Sequence, residues 1–152
     1  MTAVNENTVE YVSAMIGDQL FGLPISRVQD VFVPERLTLV PLAPPEIAGL
    51  LNLRGRIVTV IDMRRRLDLP LRDASRRMIA IGVEYKAESY GLLIDEIGEV
   101  LQLPAAGRED NPVNLDARLA HVSLGVHRLD GALLVVLDVE RVLDIGVTAQ
   151  AA

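Results

Sequence analysis

An all-β fold, two small five-stranded barrels related by an internal repeat and carrying a few short helical turns, is the class the sequence predicts. Three observations carry it. Short runs rich in Val, Ile and Leu recur at close spacing, glycine-containing pairs punctuate them, and one long stretch occurs twice. Residues 49–69 (GLLNLRGRIVTVIDMRRRLDL) overlay residues 125–145 (GVHRLDGALLVVLDVERVLDI) without a gap, at a constant spacing of 76. Gly49, Leu53, Gly55, Val60, Asp62, Arg65, Leu67 and Asp68 each meet an identical residue in the second copy. A fainter echo precedes each copy: Gly22-Leu23-Pro24-Ile25 followed by Asp30-Val31 resembles Gly91-Leu92-Leu93-Ile94 followed by Glu99-Val100. Two copies suit two related modules sharing a core, whereas a solenoid needs about three or more.

Taken in order, residues 9–16 and 19–23 form strands around the turn Gly17-Asp18, whose residue types favour turns. Residues 37–40 read as a further strand. Pro44-Pro45-Glu46-Ile47-Ala48 predicts one helical turn, because proline suits a first helical position. Residues 57–62 follow the turn Arg54-Gly55, and Asp62 is placed to cap the short helical run MRRRL. Residues 78–83, 90–95 and 99–103 continue the strand pattern. Residues 122–129 and 132–138 flank Asp130-Gly131, a strong two-residue hairpin signal, and Asp138 is placed to cap VERVL. Long helices have no room. Sheets of such short strands hide their edges by closing into barrels.

The chain has 152 residues, 50% hydrophobic and 24% charged, enough to bury a core and too apolar for a disordered tail. Cysteine is absent, which excludes disulfide scaffolds, thiolate metal sites and thiol nucleophiles, and fits a reducing compartment. The start, MTAVNENTVEYV, lacks the basic and apolar regions of a secretory signal, and no apolar run approaches the ~18 residues of a membrane span. A soluble, cytoplasmic protein with no direct membrane insertion is expected. The net charge of -6 disfavours phosphate backbones and anionic lipid, so proteins rather than nucleic acid are the expected partners.

Catalytic patterns are missing. No Gly-x-Ser-x-Gly occurs, and Ser13, Ser26, Ser75, Ser89 and Ser123 lie in ordinary contexts. His121 and His127, six apart around a predicted strand, are expected on one face but lack a third metal ligand. Phosphate-cradling glycine loops are absent. Asp62 and Asp138 read as caps rather than as paired catalytic carboxylates. The cluster Arg64-Arg65-Arg66, continued by Arg72, Arg76 and Arg77, reads as a solvated face or protein-docking rim, because aromatics are 3% and Trp is absent. The expectation is a non-enzymatic protein with no cofactor and no metal.

VQDV (residues 28–31) followed by GLLNLRGRIVTVIDMRRRLDLP (residues 49–70) resembles the CheW-like family of bacterial chemotaxis coupling proteins. YGLLIDEIGEVLQLP and DGALLVVLDVERVLD extend the likeness to roughly residues 8–146. The resemblance implies a single domain of two SH3-like barrels around a shared core. The first barrel is expected at about 20–72 and the second at about 76–146, completed by the N-terminal strand 9–16, with flexible tails at 1–7 and 147–152. It implies a free-standing adaptor that links the cytoplasmic tips of chemoreceptors to the regulatory domain of the histidine kinase CheA. A paralogue serving a non-flagellar array would share every one of these motifs.

Positions matching the family's receptor groove are Val12, Ile25, Val28 and Ile97, with Asp30 and Arg54 as a facing pair beside it. Strand aliphatics are more often core than contact, so core packing is the plain alternative for the first four. The second copy has Asp130 where the first has Arg54, so the fold itself does not require arginine there. The family more often has Glu where Asp30 stands, one methylene longer. The kinase-facing positions are Leu37, Val40 and Gly49, bordering the loop 41–47; Gly49 recurs as Gly125, which also fits a backbone requirement.

Overall fold

In the computed structural model, which describes residues 7–70 and 78–145, the strands fall into two five-stranded sheets. In chain order the elements are β1 (Thr8–Ile16), β2 (Gln19–Pro24), β3 (Val28–Phe32), β4 (Ile47–Leu53), β5 (Arg56–Asp62), α1 (Met63–Arg66), β6 (Ile79–Tyr85) and β7 (Glu88–Ile94). They continue as β8 (Glu96–Pro104), α2 (Ala117–His121), β9 (Ser123–Leu129), β10 (Ala132–Leu137) and α3 (Val139–Val142). The first barrel has the order β3-β6-β7-β5-β4 and the second β8-β1-β2-β10-β9. The repeat is now visible as structure, since β4-β5-α1 and β9-β10-α3 are the two copies found in the sequence. The fainter echo relates β2-β3 to β7-β8.

The expected barrel boundaries do not hold, because the two halves exchange strands. β3 leaves β2 and pairs with β6 through Val28↔Val83, while β8 leaves β7 and pairs with β1 through Val12↔Val100. The first barrel therefore takes in β6 and β7, beyond residue 72, and β2 belongs to the second. The physical reason lies in the parallel pairs β5–β7 and β2–β10. A tight turn cannot join parallel neighbours, so each such partner must come from far along the chain.

Each barrel closes its seam with a single residue. After β3, Thr38 N donates to Leu50 O at 2.8 Å and Leu50 N returns to Thr38 O at 2.9 Å. After β8, Glu109 N donates to Val126 O at 2.8 Å and Val126 N returns to Glu109 O at 2.9 Å. The strand expected at 37–40 is thus only this bridge, because the chain turns at Val40, whose carbonyl accepts from Ala43 N at 3.3 Å. These bridges explain the repeated glycines. Gly49 (φ 153) and Gly125 (φ 141) lie so close to them that a Cβ would stand 2.8 Å from Thr38 O and 2.7 Å from Glu109 O.

Residues 44–48 form no helix. A single turn, Ile47 N to Pro44 O at 3.0 Å, leads straight into β4, whose pairing with β5 places Ile47 opposite Ile61. β3 and β4 were not anticipated as strands, and neither was α2, which Asp116 caps by accepting from Arg118 N at 2.8 Å. Asp62 and Asp138 cap as expected, accepting from Arg64 N and Glu140 N, each at 3.0 Å. Ser75, Arg72, Arg76 and Arg77 lie outside the described residues, as do 1–6 and 147–152 of the expected tails.

Both faces of the central strands are buried, which accounts for the unbroken apolar run ALLVVL in β10. Leu134 and Val136 face the interior of the second barrel with Tyr11, and Val58, Val60, Ala80 and Leu93 fill the first. Val135 and Leu137 point the other way, into a core shared by both barrels with Phe21, Leu23, Ile61, Leu92 and Ile94.

Candidate functional site

The β4–β5 hairpin presents Arg54 at its tip. Arg54 (φ 53) and Gly55 (φ 83) both take the left-handed conformation, the pattern of a type I′ turn, and Gly55 N donates to Asn52 Oδ1 at 2.9 Å. This aims the guanidinium across the seam, where it stands 3.5 Å from the Asp30 carboxylate on β3. The shorter acid therefore still reaches its partner. Gly82 makes the contact possible, because the Asp30 carboxylate occupies the space a side chain there would need. The Arg54 side chain is 77% exposed and that of Asp30 27%, so the pair adds less than about 1 kcal/mol to stability and keeps its charge available to a partner.

Ile25 in the 3-10 turn Ile25–Arg27 and Ile97 on β8 are exposed, and Val28, two residues before Asp30, is half-buried. Val12 is different. It is 7% exposed and packs into the shared core on a strand flanked by β2 and β8, so it is core rather than surface. Val31 and Val100, on the two exchanged strands, are exposed but escaped the sequence reading. The fainter echo had already paired them as equivalents.

A second exposed surface follows β3. Val40 is exposed, Leu39 more so, and Leu42 is fully exposed in a left-handed conformation (φ 65). A cavity of 580 Å³ opens here, lined by Val40, Leu42, Pro44, Ile61, Tyr90 and Ile145 among others. Burial, reinforced by Glu88, raises the Tyr90 phenol above its ordinary pKa. Leu37 is half-buried against the first barrel's interior, and Gly49 is buried, so these two shape the surface more than they present it.

Within Arg64-Arg65-Arg66, two of the three side chains are not solvated. Arg64 grips Asp95 with a two-pronged contact (3.1 and 2.6 Å), its side chain only 14% exposed and that of Asp95 4%. Gly17 N donates to the same carboxylate at 2.7 Å, so one acid ties the β1–β2 turn to α1. The hydrogen bond with Asp95 raises the Arg64 pKa. Arg66 donates to the Arg141 and Val142 carbonyls at the end of α3, both at 2.8 Å, and burial lowers its pKa. Within the triplet, Arg65 alone is exposed. α1 is a single capped turn, and the strand exchange sets Asp95 and the end of α3 where Arg64 and Arg66, on either side of the exposed Arg65, reach them.

The two histidines do not share a face, because α2 ends at His121, before β9 begins. His121 is exposed, whereas His127 is buried edge-on to Tyr11 with ring centroids 5.5 Å apart. Among the described residues no group of three or more His, Cys, Asp and Glu is arranged to hold a metal ion, and no helix is long and apolar enough to cross a membrane.

Two closed barrels with exposed aliphatic and charged surfaces define a protein-docking scaffold. The family model described as the CheW-like domain matches residues 10–146, and the chain belongs to that family. The chemotaxis protein CheW of Bacillus subtilis is 26% identical over 144 residues, covering 95% of this chain and 92% of the relative. That of Helicobacter pylori is 24% identical, covering 91% and 84%. Protein FrzA of Myxococcus xanthus is 30% identical over 125 residues, covering 80% of this chain and 76% of FrzA. Among solved structures, the scaffolding protein TtCheW from Thermoanaerobacter tengcongensis superposes with a TM-score of 0.80 at 26% identity, covering 90% of this chain and 93% of TtCheW. The function that follows is that of a chemotaxis scaffold adaptor, not of an enzyme.

Proposed function

We propose that the chain couples chemoreceptor cytoplasmic tips to the regulatory domain of the kinase CheA, working in the cytoplasm at receptor arrays. The observation that carries this reading is the presence of two different sets of exposed residues on one rigid scaffold. Ile25, Val28, Asp30, Arg54 and Ile97 form the receptor side, with Val12 in the core rather than on the surface. Val40 and the exposed segment to Leu42 form the kinase side, shaped by Leu37 and Gly49. A helical hairpin suits the first, since a few aliphatic anchors dominate such contacts and a charged pair fixes orientation. Holding both partners in fixed relation lets a small receptor movement bias the kinase's active and inactive populations.

Sedimentation of the full chain with a receptor-tip fragment and the CheA regulatory domain tests this. The expected result is a ternary species; mutually exclusive binding contradicts coupling. The match to FrzA supports a second reading, a paralogue in a non-flagellar array. Loss of surface motility or development in a deletion strain, with swimming chemotaxis intact, would select it.

A further inference from the structure

The receptor side has an unexplained charged margin. Ser26, Arg27, Gln29, Glu84, Lys86 and Ala87 line a recess of 380 Å³. Ile25 and Val28 are chain neighbours of its lining, and Val28 pairs with Val83, next to Glu84, so the recess continues the proposed receptor surface. Its construction is specific. Gln29 is the extra residue of a bulge between Val28 and Asp30, a device that re-aims side chains at a sheet edge. Lys86 (φ 52) and Ala87 (φ 65) are the two left-handed central residues of the β6–β7 hairpin turn, and both line the recess. Lys86 Nζ is steadied 5.2 Å from the centre of the Tyr85 ring.

The charges do not balance within the recess. Its one acid, Glu84, already accepts from Gln29 Nε2 at 3.1 Å, and its carbonyl accepts from the Arg27 guanidinium at 3.4 Å. Among the described residues no carboxylate forms an ion pair with Arg27 or Lys86. We infer that this recess reads charge on the bound helical hairpin, taking a glutamate or aspartate side chain between Arg27 and Lys86 and so selecting among receptor tips. Arg27 and Lys86 are then specificity-determining residues of the receptor surface, an assignment that rests on the receptor reading above.

Lys86 is the only lysine in the chain, so acylation of a lysine side chain, mapped apart from the α-amine, reports on this recess. The full chain is acylated with an amine-reactive ester, alone and with a receptor cytoplasmic fragment from the same genome, and the modified sites are mapped. Titration of the fragment against wild type, the double variant Arg27→Glu/Lys86→Glu, and Arg54→Ala runs in parallel. Protection of Lys86, about tenfold weaker binding by the double variant, and recovery when a tip glutamate is changed to lysine are expected, with unchanged melting temperatures. If Arg54→Ala weakens binding while Lys86 stays reactive and the double variant binds normally, the recess inference is wrong and the receptor surface stands. If the double variant binds weakly and no tip reversal restores it, charge reading is wrong. If wild type fails to bind the fragment, the receptor reading itself fails and takes this inference with it.

Discussion

The two barrels share a ladder order, a seam-closing bridge and a buried glycine beside that bridge, yet their surfaces have diverged. At the hairpin tip the first copy has Arg54 and the second Asp130. Across its seam the first barrel pairs Asp30 with Arg54, and the second pairs Glu109 with Arg128 at 3.0 Å from different strand positions. After the third strand the first barrel exposes an apolar segment, whereas the second inserts the capped helix α2. In α1, Arg64 reaches Asp95; its counterpart in α3 is the exposed Glu140. What the copies share maintains the fold, and what they do not share holds the barrel-to-barrel lock and, in the proposed function, the partner surfaces.

The largest test of that division is the lock. Asp95→Ala leaves a partly buried guanidinium without its acid and Gly17 N without its acceptor, and is expected to cost about 2–3 kcal/mol in urea unfolding. Glu140→Ala, at the unlocked counterpart of Arg64, should stay within about 0.5 kcal/mol. Equal small effects would break the comparison.

Gly49→Ala and Gly125→Ala sharpen it from the shared side. Each places a Cβ against a bridge carbonyl at positive φ, and both should cost a similar amount, about 1–3 kcal/mol by equilibrium unfolding. A marked inequality would show that the two glycines do not meet the same backbone requirement.

A smaller effect distinguishes the second barrel by pH. His127 has Tyr11 on β1 against its ring and Arg108 and Glu109 nearby after β8. Burial, then Arg108, lowers its pKa from the usual 6.5, with Glu109 opposing. Above that value the ring is neutral in folded and unfolded chains alike. As pH falls below 6.5 the unfolded chain takes up the proton first, so stability is lost down through the lower folded value. His127→Phe should flatten the urea midpoint between pH 7 and 5; an unchanged slope would place the acid sensitivity elsewhere.

The sequence displayed the repeat, the caps at Asp62 and Asp138 and the Arg54 hairpin because these are local, written in neighbouring residues. The strand exchange was hidden, since nothing near β3 or β8 names a partner some 50 to 90 residues away. β4 was hidden behind Pro44-Pro45, because the turn they favour does form and gives way to the strand only at Ile47, where pairing with β5 begins. Arg64 and Arg66 look like any basic run, and only the exchange brings Asp95 and the end of α3 within their reach. At the candidate site, Asp30 and Arg54 were legible as a pair, but whether an aliphatic strand residue is core or surface depends on which strands flank it. Val12 lies in the shared core on a strand paired along both edges, and Ile97 is exposed on a strand at the edge of its sheet.

The central claim is that recognition lies in the diverged surfaces, separately for each partner. Leu37 is too enclosed to test it, since a charge there would enter the first barrel. The most direct measurement is titration of wild type, Arg54→Ala and Leu42→Asp against a receptor-tip fragment and against the CheA regulatory domain. Arg54→Ala should weaken the receptor about tenfold or more and spare the kinase, while Leu42→Asp does the reverse, both with wild-type melting. If each variant weakens both partners equally, or neither, recognition does not divide between these two surfaces and the account fails.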